Sequence, residues 1–202
     1  HDLVTAPVVD QDRNLVGWIS IDDVVDVIRE EADHAVMTMA GLDEEDDMFA
    51  PVVHSAFRRW VWLGVNLITA FMAAVVLYAF EPTLDQIVAT AVLFPIVMSM
   101  GGIAGTQTLT LMIRGMATGQ VSVTNTPALL RKELAVGLLN GIVVSVLIAA
   151  IAIMWYGNVT LGLVMAAAIL ITLLAAALAG ALVPVVLKKM SIDPALAGGV
   201  VL

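Results

Sequence analysis

Apolar runs of about twenty residues recur along this chain, each long enough to cross a bilayer core of about 30 Å as a helix. They fall at about 60–80, 86–112, 133–156 and 159–187, and a fifth opens at about 193 and continues to Leu202. With 60% hydrophobic residues, 13% charged residues and a mean hydropathy of +0.99, the expected fold class is an all-α membrane bundle. It has four complete transmembrane helices plus the start of a fifth. Ahead of it, residues 1–34 read as part of an α/β module and residues 35–57 as an acidic, plug-like connecting helix, leaving 58–202 as the transmembrane domain.

Charge is segregated between these parts. Residues 1–59 hold fourteen acids against four arginines, a net of −10; residues 60–202 hold four acids against five bases, a net of +1. An acidic soluble part argues against nucleic acid or anionic lipid as a partner and suits the attraction of cations, although acids also simply solubilise a small domain. Arg58, Arg59, Arg114, Arg131, Lys132, Lys188 and Lys189 lie before the first span, between the second and third, or after the fourth. The turns at 81–85 and 157–158 carry no base. The positive-inside rule then places the N-terminal part and both basic loops in the cytoplasm of a multi-pass protein of the cell (inner) membrane.

Residues 4–9 and 15–21 read as short strands joined by a polar turn, with Gly17 at a bulge or close approach. Ser20 and Asp23 form a capping-box signature for a helix from Asp22 to about His34, with Val24, Val25, Ile28 and Ala32 as its apolar stripe. Two strands and a helix in about 35 residues cannot bury a core of their own. The chain also opens on His1 as if inside a domain and stops within an apolar run. A fragment of a longer protein is therefore expected.

The second span differs from the others. Between Pro95 and Thr110 it carries a proline, three glycines (Gly101, Gly102, Gly105) and the polar residues Ser99, Thr106, Gln107, Thr108 and Thr110. Polar groups at membrane depth are tolerated where they are buried in protein or line a water-filled path. Helix packing through small residues is one reading of this stretch, a permeation path the other. A tilt, a kink at Pro95 or an unwound section is expected from its length. Asn66 and Thr69 share one face of the first span. In the third, Gly137, Gly141 and Ser145 form a small-residue ladder suited to packing.

The run Pro7-Val8-Val9-Asp10, Leu15-Val16-Gly17, Ile19-Ser20 and Asp22-Asp23 resembles the second half of a cystathionine β-synthase-type (CBS) module. Further on, Arg59-Trp60 with Trp62-Leu63 and Asn66, then Met100-Gly101-Gly102, Ala104-Gly105 and Gln107, Lys132-Glu133, and Asp193-Pro194-Ala195 are similar to the MgtE family of magnesium transporters. That resemblance implies a homodimer with five membrane helices per subunit and a pore lined by the second and fifth. It implies Mg²⁺ as both the transported and the regulatory ion, with closure when cytosolic Mg²⁺ binds acids of the CBS module and connecting helix. The matching acids are Asp2, Asp23, Asp26, Glu31 and, near the cytoplasmic end of the pore, Asp193. Pore-lining candidates are Asn66, Thr69, Gly101, Gly102, Gly105, Thr106 and Gln107, whose oxygens suit an ion that keeps its waters.

Ile103 stands where many members carry asparagine, and His34 and Ala35 where acids are common. Transport of Co²⁺ or Mn²⁺, or a non-transporting membrane adaptor with a CBS sensor, are the alternatives. No enzyme is expected, since the four spans contain no His, Cys or pair of acids at the spacing of a catalytic site.

Overall fold

The computed structural model describes residues 4–42, 49–84, 88–121 and 125–196. Two strands, β1 (Thr5–Val9) and β2 (Leu15–Ser20), pair antiparallel, and six helices follow: α1 (Ile21–Met39), α2 (Val52–Ala79), α3 (Glu81–Leu84), α4 (Val88–Ala117), α5 (Thr126–Tyr156) and α6 (Val159–Lys189). A 3-10 turn at Pro194–Leu196 ends the described chain. This is an all-α membrane bundle behind a partial α/β module. Four helices, α2, α4, α5 and α6, are long and apolar enough to cross a membrane.

The hairpin is closed by its own polar groups. Asp10 accepts from the Asn14 backbone amide at 2.8 Å and from the Asn14 side chain at 3.1 Å, while Arg13 takes a left-handed φ of 65°. Val8 pairs with Gly17 but Val9 with Leu15, so Val16 is the extra residue of a bulge beside Gly17. At the start of α1, Ser20 accepts from the Asp23 amide, and Asp23 accepts from both the Ser20 amide and hydroxyl at 2.7 Å. The Ser20 amide, with its hydroxyl, holds the Asp23 carboxyl below the usual carboxylate range. A lowered folded pKa means that this cap stabilises at pH values above about 4, and is lost only as pH falls through the lower folded value. We expect Ser20→Ala to cost the helix about 1 kcal/mol at neutral pH, read as faster amide exchange in the first turn of α1. Val16, Trp18, Val27 and Ile28 remain exposed, as befits part of a module without its remaining layer.

Helix α6 is the centre of the membrane part, with α5 along one side and α4 along another. Glycines set the closeness of both contacts. A Cβ on Gly141 or Gly137 would lie 2.8 Å from the Leu170 side chain or 2.9 Å from that of Ala177, so the α5 ladder seats on α6. A Cβ on Gly180 would lie 2.6 Å from the Gly105 carbonyl oxygen, so α4 and α6 cross backbone to backbone. One core cluster joins Leu93 and Val97 of α4, Ile148 and Ala152 of α5, and Met165, Ile169 and Leu173 of α6.

Helix α4 runs through Pro95 without interruption. Its thirty residues form one helix with no unwound section, about 45 Å at 1.5 Å per residue and so longer than a bilayer core. Helix α2 has no buried residue among the described ones, and it starts at Val52, ahead of the Arg58-Arg59 pair. Helix α5 starts at Thr126, so Glu133 lies two turns inside it rather than at its edge.

Candidate functional site

The polar stretch of α4 divides among three environments, because successive residues of a helix point about 100° apart. Gly101 and Gly105 are buried on the face that meets α6, where a Cβ on Gly101 would stand 2.6 Å from the Thr172 methyl. Gly102 lies off that face, with nothing among the described residues within 4 Å of a Cβ placed there. Ser99, Thr106 and Thr110 are exposed on the same side, so an open stripe runs Ser99, Gly102, Thr106, Thr110. Ile103, half exposed, borders it. Gln107 belongs to neither face. It lines a cavity of about 90 Å³ between α4, α5 and α6 together with Thr108, Asn140 and Glu133.

The hydroxyls of the open stripe have a defined polarity. Thr106 donates to the Gly102 carbonyl at 2.9 Å, and Thr110 to the Thr106 carbonyl at 2.8 Å. With their hydrogens turned back into the helix, these oxygens present lone pairs outward. Such a row accepts hydrogen bonds from water, including the water bound to a cation.

Asn66 and Thr69 lie on α2 and bond within it, Asn66 to the Trp62 carbonyl and Thr69 to the Asn66 carbonyl. The structure does not bring them to the α4 stripe. Asp2 lies outside the described residues, as does the acidic cluster at 43–47. Asp23, Asp26 and Glu31 are exposed along α1. Among the described residues, no three His, Asp or Glu side chains converge as a metal centre.

Asp193 occupies a joint. Its Oδ1 accepts from the Ala195 amide at 2.9 Å, capping the turn that opens the fifth segment, and its Oδ2 lies 3.2 Å from His34 Nε2. His34 Nδ1 sits 3.4 Å from the Thr38 hydroxyl. With the ring hydrogen on Nε2, the histidine donates to Asp193 and accepts from Thr38. The end of α1 thus rests on the start of the fifth segment, and Met39 packs beside Ala195, Leu109 and Ile113. Two turns of one type deliver the chain to this joint. Gly41 and Ser191, at φ of 72° and 59°, end α1 and α6, and the next residue in each case bonds back to the carbonyl five residues earlier.

Glu133 has no counterpart among the sequence-derived candidates. It is 5% exposed, and the Thr108 hydroxyl donates to it at 3.2 Å. A helical-face reading would have found it: Glu133, Gly137, Asn140 and Gly141 follow one another at spacings of four, three and one.

A family profile described as a divalent cation transporter, MgtE, matches residues 94–202. The chain is 34% identical over 98% of its length to the magnesium transporter MgtE of Bacillus subtilis (strain 168). It is 31% identical over 97% of its length to that of Thermus thermophilus, and 32% identical over 98% to that of Enterococcus faecalis. It spans 44% of the length of each of these relatives. With that profile covering more than half of its residues, the chain belongs to the MgtE family of divalent cation transporters.

Proposed function

We propose that this chain forms the membrane part of a Mg²⁺ pathway across the cytoplasmic membrane, assembled as a homodimer with its N-terminal part in the cytoplasm. The observation that carries the reading is the open stripe of α4. Mg²⁺ prefers oxygen ligands and dehydrates reluctantly. A path for it must therefore accept hydrogen bonds from its water shell, and the outward lone pairs of Thr106 and Thr110 do so. A polar stripe at membrane depth needs protein or water against it rather than lipid. A second copy across the stripe supplies both. The relatives are named magnesium transporters, which favours Mg²⁺ over Co²⁺ or Mn²⁺ as the cargo.

The test is flux. Full-length protein in liposomes containing a Mg²⁺ indicator should show Mg²⁺ entry down its gradient. Absence of any divalent flux would leave a membrane adaptor carrying a sensor module.

Regulation belongs to the same proposal. Asp2, Asp23, Asp26 and Glu31 each contribute a carboxylate to Mg²⁺ sites completed by other segments, since those among the described residues make no site by themselves. Ion binding draws α1 into the position in which His34 meets Asp193, and the fifth segment is held. We expect His34→Ala and Asp193→Asn to raise the internal Mg²⁺ concentration needed for half-closure about two- to fivefold, the size of a partly exposed pair worth up to about 1 kcal/mol. Flux measured against internal Mg²⁺ checks this; an unchanged midpoint in both variants removes the latch.

A further inference from the structure

We propose a second cation site inside the membrane part, centred on the Glu133 carboxylate and reached from the cytoplasmic loop between α4 and α5. Two cavities meet at this residue. The outer one, about 430 Å³, is lined by Gln120, Asn125 and Lys132 as well as Glu133. The inner one, about 90 Å³, adds Gln107, Thr108 and Asn140. Glu133 and Leu111 line both, so the carboxylate stands at the neck between them. Gln107 lies ten residues before the end of α4, about 15 Å along the helix, which puts the inner cavity at membrane depth; Gln107 and Asn140 are themselves exposed, so it opens to the outside of this bundle.

A buried carboxylate that stays ionised needs a compensating partner. Glu133 is almost fully buried, yet the bond from Thr108 is the single hydrogen bond it makes among the described residues. One neutral hydroxyl falls far short of compensating a carboxylate withdrawn from water. No Lys or Arg forms an ion pair with it among the described residues, and the adjacent Lys132 is exposed. The remaining polar groups at the neck, the amides of Gln107 and Asn140 and the Thr108 hydroxyl, offer neutral oxygens. At the neck itself this is an all-oxygen set with one negative charge, the Lys132 ammonium lying on the exposed lining of the outer cavity; such a set suits a small hard cation that keeps part of its water shell. The outer cavity has room for that shell, and the inner one for a few waters. The site is separate from the open stripe of α4, which faces away from it. Its assignment rests on the proposed Mg²⁺ handling only for the choice of ion.

The experiment uses the purified full-length protein and thermal unfolding with Mg²⁺ as the probe. Glu133→Gln keeps the shape of the side chain and its bond from Thr108. A ligand bound only to the folded state raises Tm as its concentration rises. Wild type should gain several degrees more from MgCl₂ than Glu133→Gln does, and equilibrium dialysis with Mn²⁺ alone should show about one fewer bound ion per chain in the variant. Gln107→Leu, which removes a neutral oxygen while leaving the carboxylate, should weaken the Mg²⁺ response without abolishing it. Equal Tm shifts and equal Mn²⁺ stoichiometry in wild type and Glu133→Gln overturn the site. So does an identical wild-type shift with NaCl at matched ionic strength. None of these readouts depends on flux, so a failure of the transport reading is seen separately, as wild-type protein that binds ions but passes none.

Discussion

Gly180→Leu should abolish the folded bundle. A Cβ at this position would stand 2.6 Å from the Gly105 carbonyl oxygen, 3.1 Å from the Thr108 Cβ and 3.2 Å from the Leu109 amide nitrogen. Two of those atoms are backbone of a continuous helix, so the clash cannot be relieved by turning a side chain. Helices α4 and α6 would have to separate along the contact that buries Gly101, Gly105, Leu109 and Met112. Overpacking of a well-packed core costs about 1–3 kcal/mol, occasionally more, against a total stability of about 5–15 kcal/mol. Leucine adds three further heavy atoms to a space that does not admit one. We expect aggregated or proteolysed protein on solubilisation, and for Gly180→Ala a monodisperse protein with a Tm lowered by several degrees. A wild-type Tm for Gly180→Leu would show that the two backbones do not meet here.

Gly102→Leu should do the opposite: leave the fold intact and stop transport. Among the described residues nothing lies within 4 Å of a Cβ at this position, and leucine is a better helix former than glycine. The variant should therefore unfold no earlier than wild type. Its side chain would project from the open stripe between Ser99 and Thr106, placing a branched apolar group among the oxygens that accept from the ion's water. Apolar constrictions close narrow aqueous paths by expelling water, so Mg²⁺ flux should fall on the order of tenfold or more in full-length protein of normal stability. Normal flux through Gly102→Leu would remove this face of α4 from the conduit. The pair of variants separates the two roles that the glycine-rich segment of α4 combines, since a side chain at Gly180 of α6 presses on the packed face at Gly105 and gives a folding defect, while one at Gly102 stands on the open face and gives a transport defect.

How far the chain could be read before folding differs from place to place, for physical reasons. The ladder Gly137, Gly141, Ser145 was legible because a row of small residues at spacing four has one principal use in a membrane, close approach of a neighbour. Its partner on α6 was not, because α6 is small-residue-rich all round. In α4 the spacing already puts Gly101 with Gly105 on one face and Gly102 with Thr106 on the next. Which face meets protein depends on Gly180, far along the chain, and no local pattern states it. The capping box at Ser20 and Asp23 is local chemistry and was visible at once. The contact between His34 and Asp193 is long-range, between two residues with separate local explanations, a surface histidine and a helix-opening aspartate. Glu133 was obscured by a boundary, since a third span taken as 133–156 puts this residue at the helix end. The helix in fact begins seven residues sooner, and the acid is carried inward.

At the end of α1, Gly41 takes a left-handed conformation, and a Cβ there would lie 3.1 Å from Cγ of Trp62 on α2. No L-amino acid with a side chain fits easily: the backbone angle is unfavourable and the indole occupies the space. The indole is thereby wedged beneath a stiff reversal of the chain. Helix α2 has no buried residue among the described residues, so this seat for Trp62 is a point at which the end of α1 meets it.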